Sequence, residues 1–196
     1  CNRRLISKIA RLHFAPTPNA VNNLKKDNVD GDVILTGNTV IDSLLKASSK
    51  IKEFKEKNID LTKKKIILLT VHRRENWGGN IHEIIKAVKL LIEKHNDILF
   101  LIPMHPNKIV REPIIKYLGD SSNVLLKEPL SYENLVAVIK KCYLVLTDSG
   151  GIQEEAPSLG KPVLVLRDNT ERIESIKAGV AKLIGTKSKD IFLECE

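Results

Sequence analysis

Apolar residues fall along the chain in short unbroken runs, separated by longer stretches whose apolar positions recur every three or four residues. Ile66 to Val71, Ile98 to Ile102, Tyr143 to Thr147 and Pro162 to Leu166 are runs bounded by charged or turn-forming residues. Continuous Ile/Leu/Val-rich runs of this length predict strands buried on both faces, as in parallel sheets. Val33 to Thr36, Val124 to Leu126 and Ala181 to Ile184 are shorter runs of the same kind. Between them, Ile81 to His95 sets Ile81, Ile84, Ile85, Val88, Leu91 and Ile92 on one face of a helix. Helices are also predicted over Thr39 to Lys57, Ile109 to Leu118, Tyr132 to Lys141, Ile152 to Leu159 and Glu171 to Ala178. Strands alternating with helices read as βαβ units. With right-handed crossovers they give an α/β, Rossmann-like parallel sheet with helices on both faces.

The first part of the chain departs from that alternation. Asn2 to Leu12 is basic and partly amphipathic, and Leu12 to Ala15, followed by Pro16 and Pro18, predicts a strand and a turn. We therefore expect residues 1–35 to be the remnant of a preceding domain with its linker, and residues 36–196 to form the Rossmann-like domain. The chain begins at Cys1 and stops at Glu196 just as Ser188 to Leu193 opens a helix. A fragment of a longer protein, without its N-terminal domain and final helix, is the expectation.

Composition narrows the partners. The 196 residues are 42% hydrophobic but only 4% aromatic, so the core must be aliphatic. The net charge of +8 is spread in short runs such as Lys63-Lys64-Lys65, not interleaved with aromatics. That distribution fits solvated helix faces better than a stacking platform for nucleic acid. Cys1, Cys142 and Cys195 form no metal-binding spacing, and Cys142, just before an apolar strand, is expected to be a buried thiol of a cytoplasmic protein. No run approaches the roughly 20 apolar residues that span a bilayer. The phosphate-binding, dinucleotide and serine-hydrolase signatures (G-x-x-x-x-G-K-[ST], G-x-G-x-x-G, G-x-S-x-G) are missing, which argues against an ATPase, an NAD enzyme or a typical serine hydrolase.

Open α/β sheets bind ligands at the carboxyl ends of their strands, which selects four loops. After strand 143–147 comes Asp148-Ser149-Gly150-Gly151, then a helix with Glu154 and Glu155 in its first turn. Two glycines before a helix let a pyrophosphate approach the backbone, and an acidic residue nearby suits sugar hydroxyls. A tight turn with Ser149 as N-cap explains the same residues equally well. After strand 66–71 comes His72-Arg73-Arg74-Glu75-Asn76-Trp77-Gly78-Gly79, suited to phosphate contacts and proton donation, or else a solvated charged loop. The third loop carries His105, and a lone His is more often structural. The fourth, Arg167 to Arg172, offers Arg172 to a phosphate or a sugar hydroxyl, or else an N-cap at Thr170 with surface arginines.

Taken together, Asn2-Arg3, His13 to Thr17, Thr36 to Asp42, His72 to Asn76, His105 to Asn107, Arg111 to Pro113, Thr147 to Lys161 and Arg167 to Arg172 resemble the non-hydrolysing UDP-N-acetylglucosamine 2-epimerases. The run Thr147 to Lys161 is long and specific. The resemblance implies one half of a GT-B-like two-domain architecture with the substrate in the cleft. It implies interconversion of UDP-GlcNAc and UDP-ManNAc by elimination of UDP to a 2-acetamidoglucal and its re-addition, without NAD or metal. It implies that Ser149, Gly150 and Gly151 hold the diphosphate and Glu155 the ribose. His72 would assist the departing UDP, Arg172 would contact the nucleotide sugar, and the uracil would lie against Leu130 to Leu135. Leu135 stands where the family often has an aromatic, and Ile173 where it often has Pro. Arg73 and His105 match residues of a second, activating nucleotide-sugar site in some bacterial members. The family's catalytic carboxylates lie in the N-terminal domain, and no residue here has an independent claim to remove the C2 proton. A homodimer serving polysaccharide biosynthesis, with no cofactor, nucleic acid or membrane, is the implied setting for the full-length protein. The C-terminal donor-binding half of a GT-B glycosyltransferase is the alternative, and a basic nucleic-acid module is a third, distant one.

Overall fold

In a computed structural model, residues 2–51, 53–54 and 61–196 are described. Cys1 and the end of the stretch expected to be helical up to Lys57 lie outside them. The chain divides into two compact units, Cys1–Lys46 and Ala47–Glu196. The expected division at residue 35 precedes this one.

In the first unit, helix α1 (Asn2–Ile9) leads to strand β1 (Leu12–Ala15), helix α2 (Pro18–Lys26) and strand β2 (Asp32–Leu35). The two strands pair in parallel, so α2 is the crossover of a βαβ unit. Sequence pattern predicted both strands but not α2, whose several asparagines are poor helix formers. Its start is fixed by capping instead. The Thr17 side chain accepts a hydrogen bond from Ala20 N at 3.1 Å, and Pro18 occupies the first turn. At Gly31, φ is +92°, and a Cβ would lie 2.4 Å from the Arg11 carbonyl oxygen, so only glycine fits before β2. Helix α3 (Thr39–Ser48) runs across the division.

In the second unit, six strands among the described residues form one parallel sheet: β3 (Lys65–Thr70), β4 (Ile98–Pro103), β5 (Val124–Lys127), β6 (Leu144–Thr147), β7 (Val163–Val165) and β8 (Ala181–Leu183). Their order is β5-β4-β3-β6-β7-β8. Alternate strand residues feed two cores, one on each face. One core joins Ile67, Leu69, Phe100 and Leu146 to helices α4 (Gly79–Lys94), α5 (Lys108–Leu118) and α9 (Ser188–Cys195). The other joins Leu68, Leu101, Val145 and Val165 to α6 (Tyr132–Lys141) and α7 (Ile152–Ser158), with Ile176 of α8 (Ile173–Lys177) packed against it. The predicted Rossmann-like layering is therefore observed. On α4 the predicted face is buried at Ile81, Ile84, Ile85, Val88 and Leu91, with Ile92 at its margin.

Cys142 is a buried thiol whose Sγ donates to Ile139 O at 3.1 Å, and burial pushes it up to about 12. It carries no thiolate at neutral pH. Among the described residues no helix is long and apolar enough to cross a membrane.

The chain builds β3, β4 and β5 in one direction, then returns to add β6 on the opposite flank of β3. This reversal opens a crevice at the carboxyl ends of β3 and β6, where open α/β sheets bind ligands. The sheet beneath depends on Phe100, fully buried in the middle of β4. Phe100→Ala is expected to lower the unfolding free energy by about 3–5 kcal/mol, read from the midpoint of chemical denaturation.

Candidate functional site

The site grows from two threonines and one carboxylate at the switch point. Thr70 and Thr147, at the ends of β3 and β6, share a buried hydrogen bond of 2.6 Å, and Thr147 Oγ1 also accepts from Ser149 N at 3.0 Å. The next residue, Asp148, has a fully buried side chain. Its Oδ2 accepts from His72 N, Arg73 N and Asn76 Nδ2, each at 2.9 Å. Its Oδ1 lies 2.8 Å from His72 Nδ1. Burial by itself pushes the Asp148 carboxyl up, but these hydrogen bonds and His72 together outweigh it and hold the carboxyl below its ordinary value. Asn76, also buried, passes the connection on by donating to Leu166 O at 3.0 Å, just beyond β7.

Two further buried polar groups knit the remaining loops. Gln153 Nε2 donates to Ser149 O at 3.1 Å, while its Oε1 accepts from Thr170 Oγ1 at 2.6 Å. Arg167 donates from Nε to Glu75 at 2.6 Å and from Nη1 to Glu171 at 2.9 Å. Arg73 Nη2 stands 3.7 Å from the other Glu171 oxygen. Arg172 pairs with Glu154. A Cβ on Gly150 would meet Glu171 Oε1 at 3.0 Å and Arg73 Nη2 at 3.3 Å, so a side chain there would crowd both groups.

Two local alternatives from the sequence are corrected. Ser149 does not cap α7. The N-cap is Gly151, which has no side chain, because the turn puts Ser149 two residues earlier, with its amide on Thr147. Helix α8 starts at Ile173 after Arg172, because Thr170 is engaged by Gln153 and accepts from Arg172 N at 3.1 Å. The amides of Gly150, Gly151 and Ile152 have no hydrogen-bond partner among the described residues. Three adjacent free donors suit an anion. Trp77, grouped with His72 and Arg73 by sequence, instead packs against the core on the α4 side.

The other candidates fall around this centre. The His105 ring stacks with His72 at a centroid distance of 6.4 Å, and the two line a cavity of 180 Å³ with Val71, Met104 and Pro129. Glu155 is half-buried, and burial, then the charge of Glu154, raises its carboxyl. The Tyr132 hydroxyl is raised by burial and then by the charge of Glu155, which sets the start of α6 beside that carboxylate. Leu130 and Leu135, flanking Tyr132, pack partly buried against the second core. No group of three or more His, Cys, Asp or Glu among the described residues is arranged to hold a metal ion.

Comparison with known proteins gives a consistent match. The family model described as UDP-N-acetylglucosamine 2-epimerase matches residues 1–196. The chain is 46% identical to the UDP-N-acetylglucosamine 2-epimerase of Neisseria meningitidis, aligning over 97% of this chain and 54% of that protein. It is similar to the structure of that organism's UDP-GlcNAc 2-epimerase bound to UDP-GlcNAc, with TM-score 0.90 and 45% identity over 99% of this chain and 54% of the other. It is also similar to the S. aureus MnaA–UDP co-structure, with TM-score 0.91 and 44% identity over 99% and 53%. The chain spans about half the length of the curated relatives it matches.

Asp148 makes acid stability a test of this geometry. Its folded-state value lies below the unfolded one of about 3.9, so the unfolded chain binds more protons between the two. The stability it contributes is complete above pH about 5 and is lost as pH falls below about 4. Asp148→Ala is expected to destabilise by about 3 kcal/mol at pH 7, with the gap to wild type narrowing below pH about 4 in denaturation measured across pH.

Proposed function

The chain belongs to the UDP-N-acetylglucosamine 2-epimerase family, and from that premise we propose that it supplies the UDP-binding half of an enzyme interconverting UDP-GlcNAc and UDP-ManNAc. The observation that carries this reading is the row of three unpaired amides, Gly150 to Ile152, starting two residues beyond a fully buried carboxylate at the switch point. Phosphate oxygens would accept from those amides and from the Ser149 hydroxyl. Arg172, held by Glu154 in the free chain, would exchange that carboxylate for the nucleotide sugar. Glu155 is desolvated without full burial, so the two ribose hydroxyls would supply donors to an under-solvated carboxylate. Leu130 and Leu135 offer an aliphatic surface to the uracil close to that ribose site.

The chemistry is an anti elimination of UDP followed by its re-addition with inversion at C2. The C2 proton leaves to a base, the C1–O bond breaks, and its electron pair departs with the β-phosphate oxygen of UDP. The resulting 2-acetamidoglucal receives a proton at C2 on the opposite face while UDP adds back at C1. His72 stands beside the diphosphate and gives the departing oxygen a hydrogen-bond donor. The base for C2 belongs to the other half of a GT-B-like enzyme. Arg73 and His105 belong to a second nucleotide-sugar site that activates the first. Their contacts with Glu171 and His72 link it physically to the catalytic loop.

The full-length protein incubated with UDP-GlcNAc and no acceptor is expected to yield UDP-ManNAc, whereas a glycosyltransferase would not. The purified 196-residue chain is expected to bind UDP in calorimetry without turnover, and turnover by the chain alone would contradict the assignment of the base. Glu155→Gln is expected to weaken UDP binding about tenfold, or about 1.4 kcal/mol.

A further inference from the structure

We infer that Asp148 is a positioning residue for His72: its buried carboxylate holds the imidazole by Nδ1 and presents Nε2 to the UDP leaving group. The inference rests on the role proposed above for His72. A carboxylate below its ordinary titration range only accepts, so the 2.8 Å contact with Nδ1 requires the proton on that nitrogen. The carboxylate itself cannot turn. His72 N, Arg73 N and Asn76 Nδ2 converge on Oδ2 at 2.9 Å, while Oδ1 faces the ring and takes only a longer, 3.2 Å share of the His72 N–H. The His72 backbone and ring are thus held by the two oxygens of one buried group. The far ring nitrogen stays on the solvent side, where the side chain is 41% exposed.

In the elimination, the electron pair of the broken C1–O bond goes to the β-phosphate oxygen. A ring protonated on both nitrogens gives its Nε2 proton to that oxygen, and Asp148 keeps the Nδ1 proton in place. In re-addition, Nε2 takes the proton back as the oxygen bonds to C1. No other reactant is required.

Asp148→Asn separates positioning from simple knitting of the loops. The three donors on Oδ2 select the amide oxygen for that place, which turns the amide NH2 toward Nδ1. The ring must then accept at Nδ1 and carry its proton on Nε2, as in a triad whose aspartate is replaced by asparagine. The loop connections survive while the tautomer reverses.

The test uses the 196-residue chain labelled with ¹⁵N-histidine, with His72→Gln identifying the His72 ring signals among the five histidines. The neutral wild-type ring is expected as the Nδ1–H tautomer and the Asp148→Asn ring as Nε2–H. A wild-type Nε2–H tautomer overturns the inference, and this result decides the matter even where Asp148→Asn does not fold. In the full-length enzyme, Asp148→Asn is expected to lower kcat about 100-fold or more with KM unchanged within about threefold. Full kcat in Asp148→Asn beside an inactive His72→Gln overturns the positioning role alone. Full kcat in His72→Gln overturns the reading of His72 itself, and the catalytic part of this inference with it.

Discussion

One fully buried carboxylate holds this site together. Asp148 sits at the carboxyl end of β6, beside β3, where the sheet reverses its direction of growth. A charge removed from water there costs several kcal/mol unless the protein replaces its hydration. The replacement comes from the loop after β3: two backbone amides, one side-chain amide and one imidazole. The neighbouring loop can therefore adopt only the conformations that deliver those donors. Asn76 extends the constraint to the end of β7 through Leu166 O. Three of the four candidate loops are thus positioned, directly or through one residue, by a single side chain.

Around that anchor the charges of the site are paired. Arg167 holds Glu75 and Glu171, Arg73 leans on Glu171, and Arg172 holds Glu154. The net charge of the chain is therefore a poor guide to the site, since its cations meet carboxylates before any ligand arrives. A diphosphate gains by displacing these partners and by filling the three free amides at Gly150, Gly151 and Ile152. Low-dielectric surroundings strengthen both kinds of contact. The donors are backbone groups fixed by the turn, so their orientation costs little ordering on binding.

Most of the sheet was legible in the sequence because both of its faces are covered. Buried parallel strands such as Ile66 to Val71 have no polar face, so their apolar runs stand out against charged loops. Helix α4 was legible for the complementary reason, its single apolar stripe. Helix α2 was not, because its start depends on Thr17 and Pro18 rather than on periodicity. At the site, the loops were found from strand ends and residue types, yet Asp148, Asn76, Gln153 and Arg167 received no roles. Their work is done in burial, and burial of a polar side chain depends on partners tens of residues away, as Asn76 does on Asp148. The available signal was a Thr-Asp pair closing an apolar run, followed by glycines: an acid at a strand end has little room to reach water. The Ser149 cap failed for a related reason, since a local capping pattern does not say where α7 begins, and the turn held by Thr147 at the Ser149 amide sets the N-cap at Gly151.

The central claim is that the anion seat at the switch point receives the diphosphate of UDP. Mapping amide shifts of the ¹⁵N-labelled 196-residue chain during titration with UDP tests it most directly. The largest shifts are expected at Gly150, Gly151 and Ile152, with His72 and Arg73 following through Asp148. UDP binding that moves residues of another face and leaves Gly150 to Ile152 unchanged would contradict it.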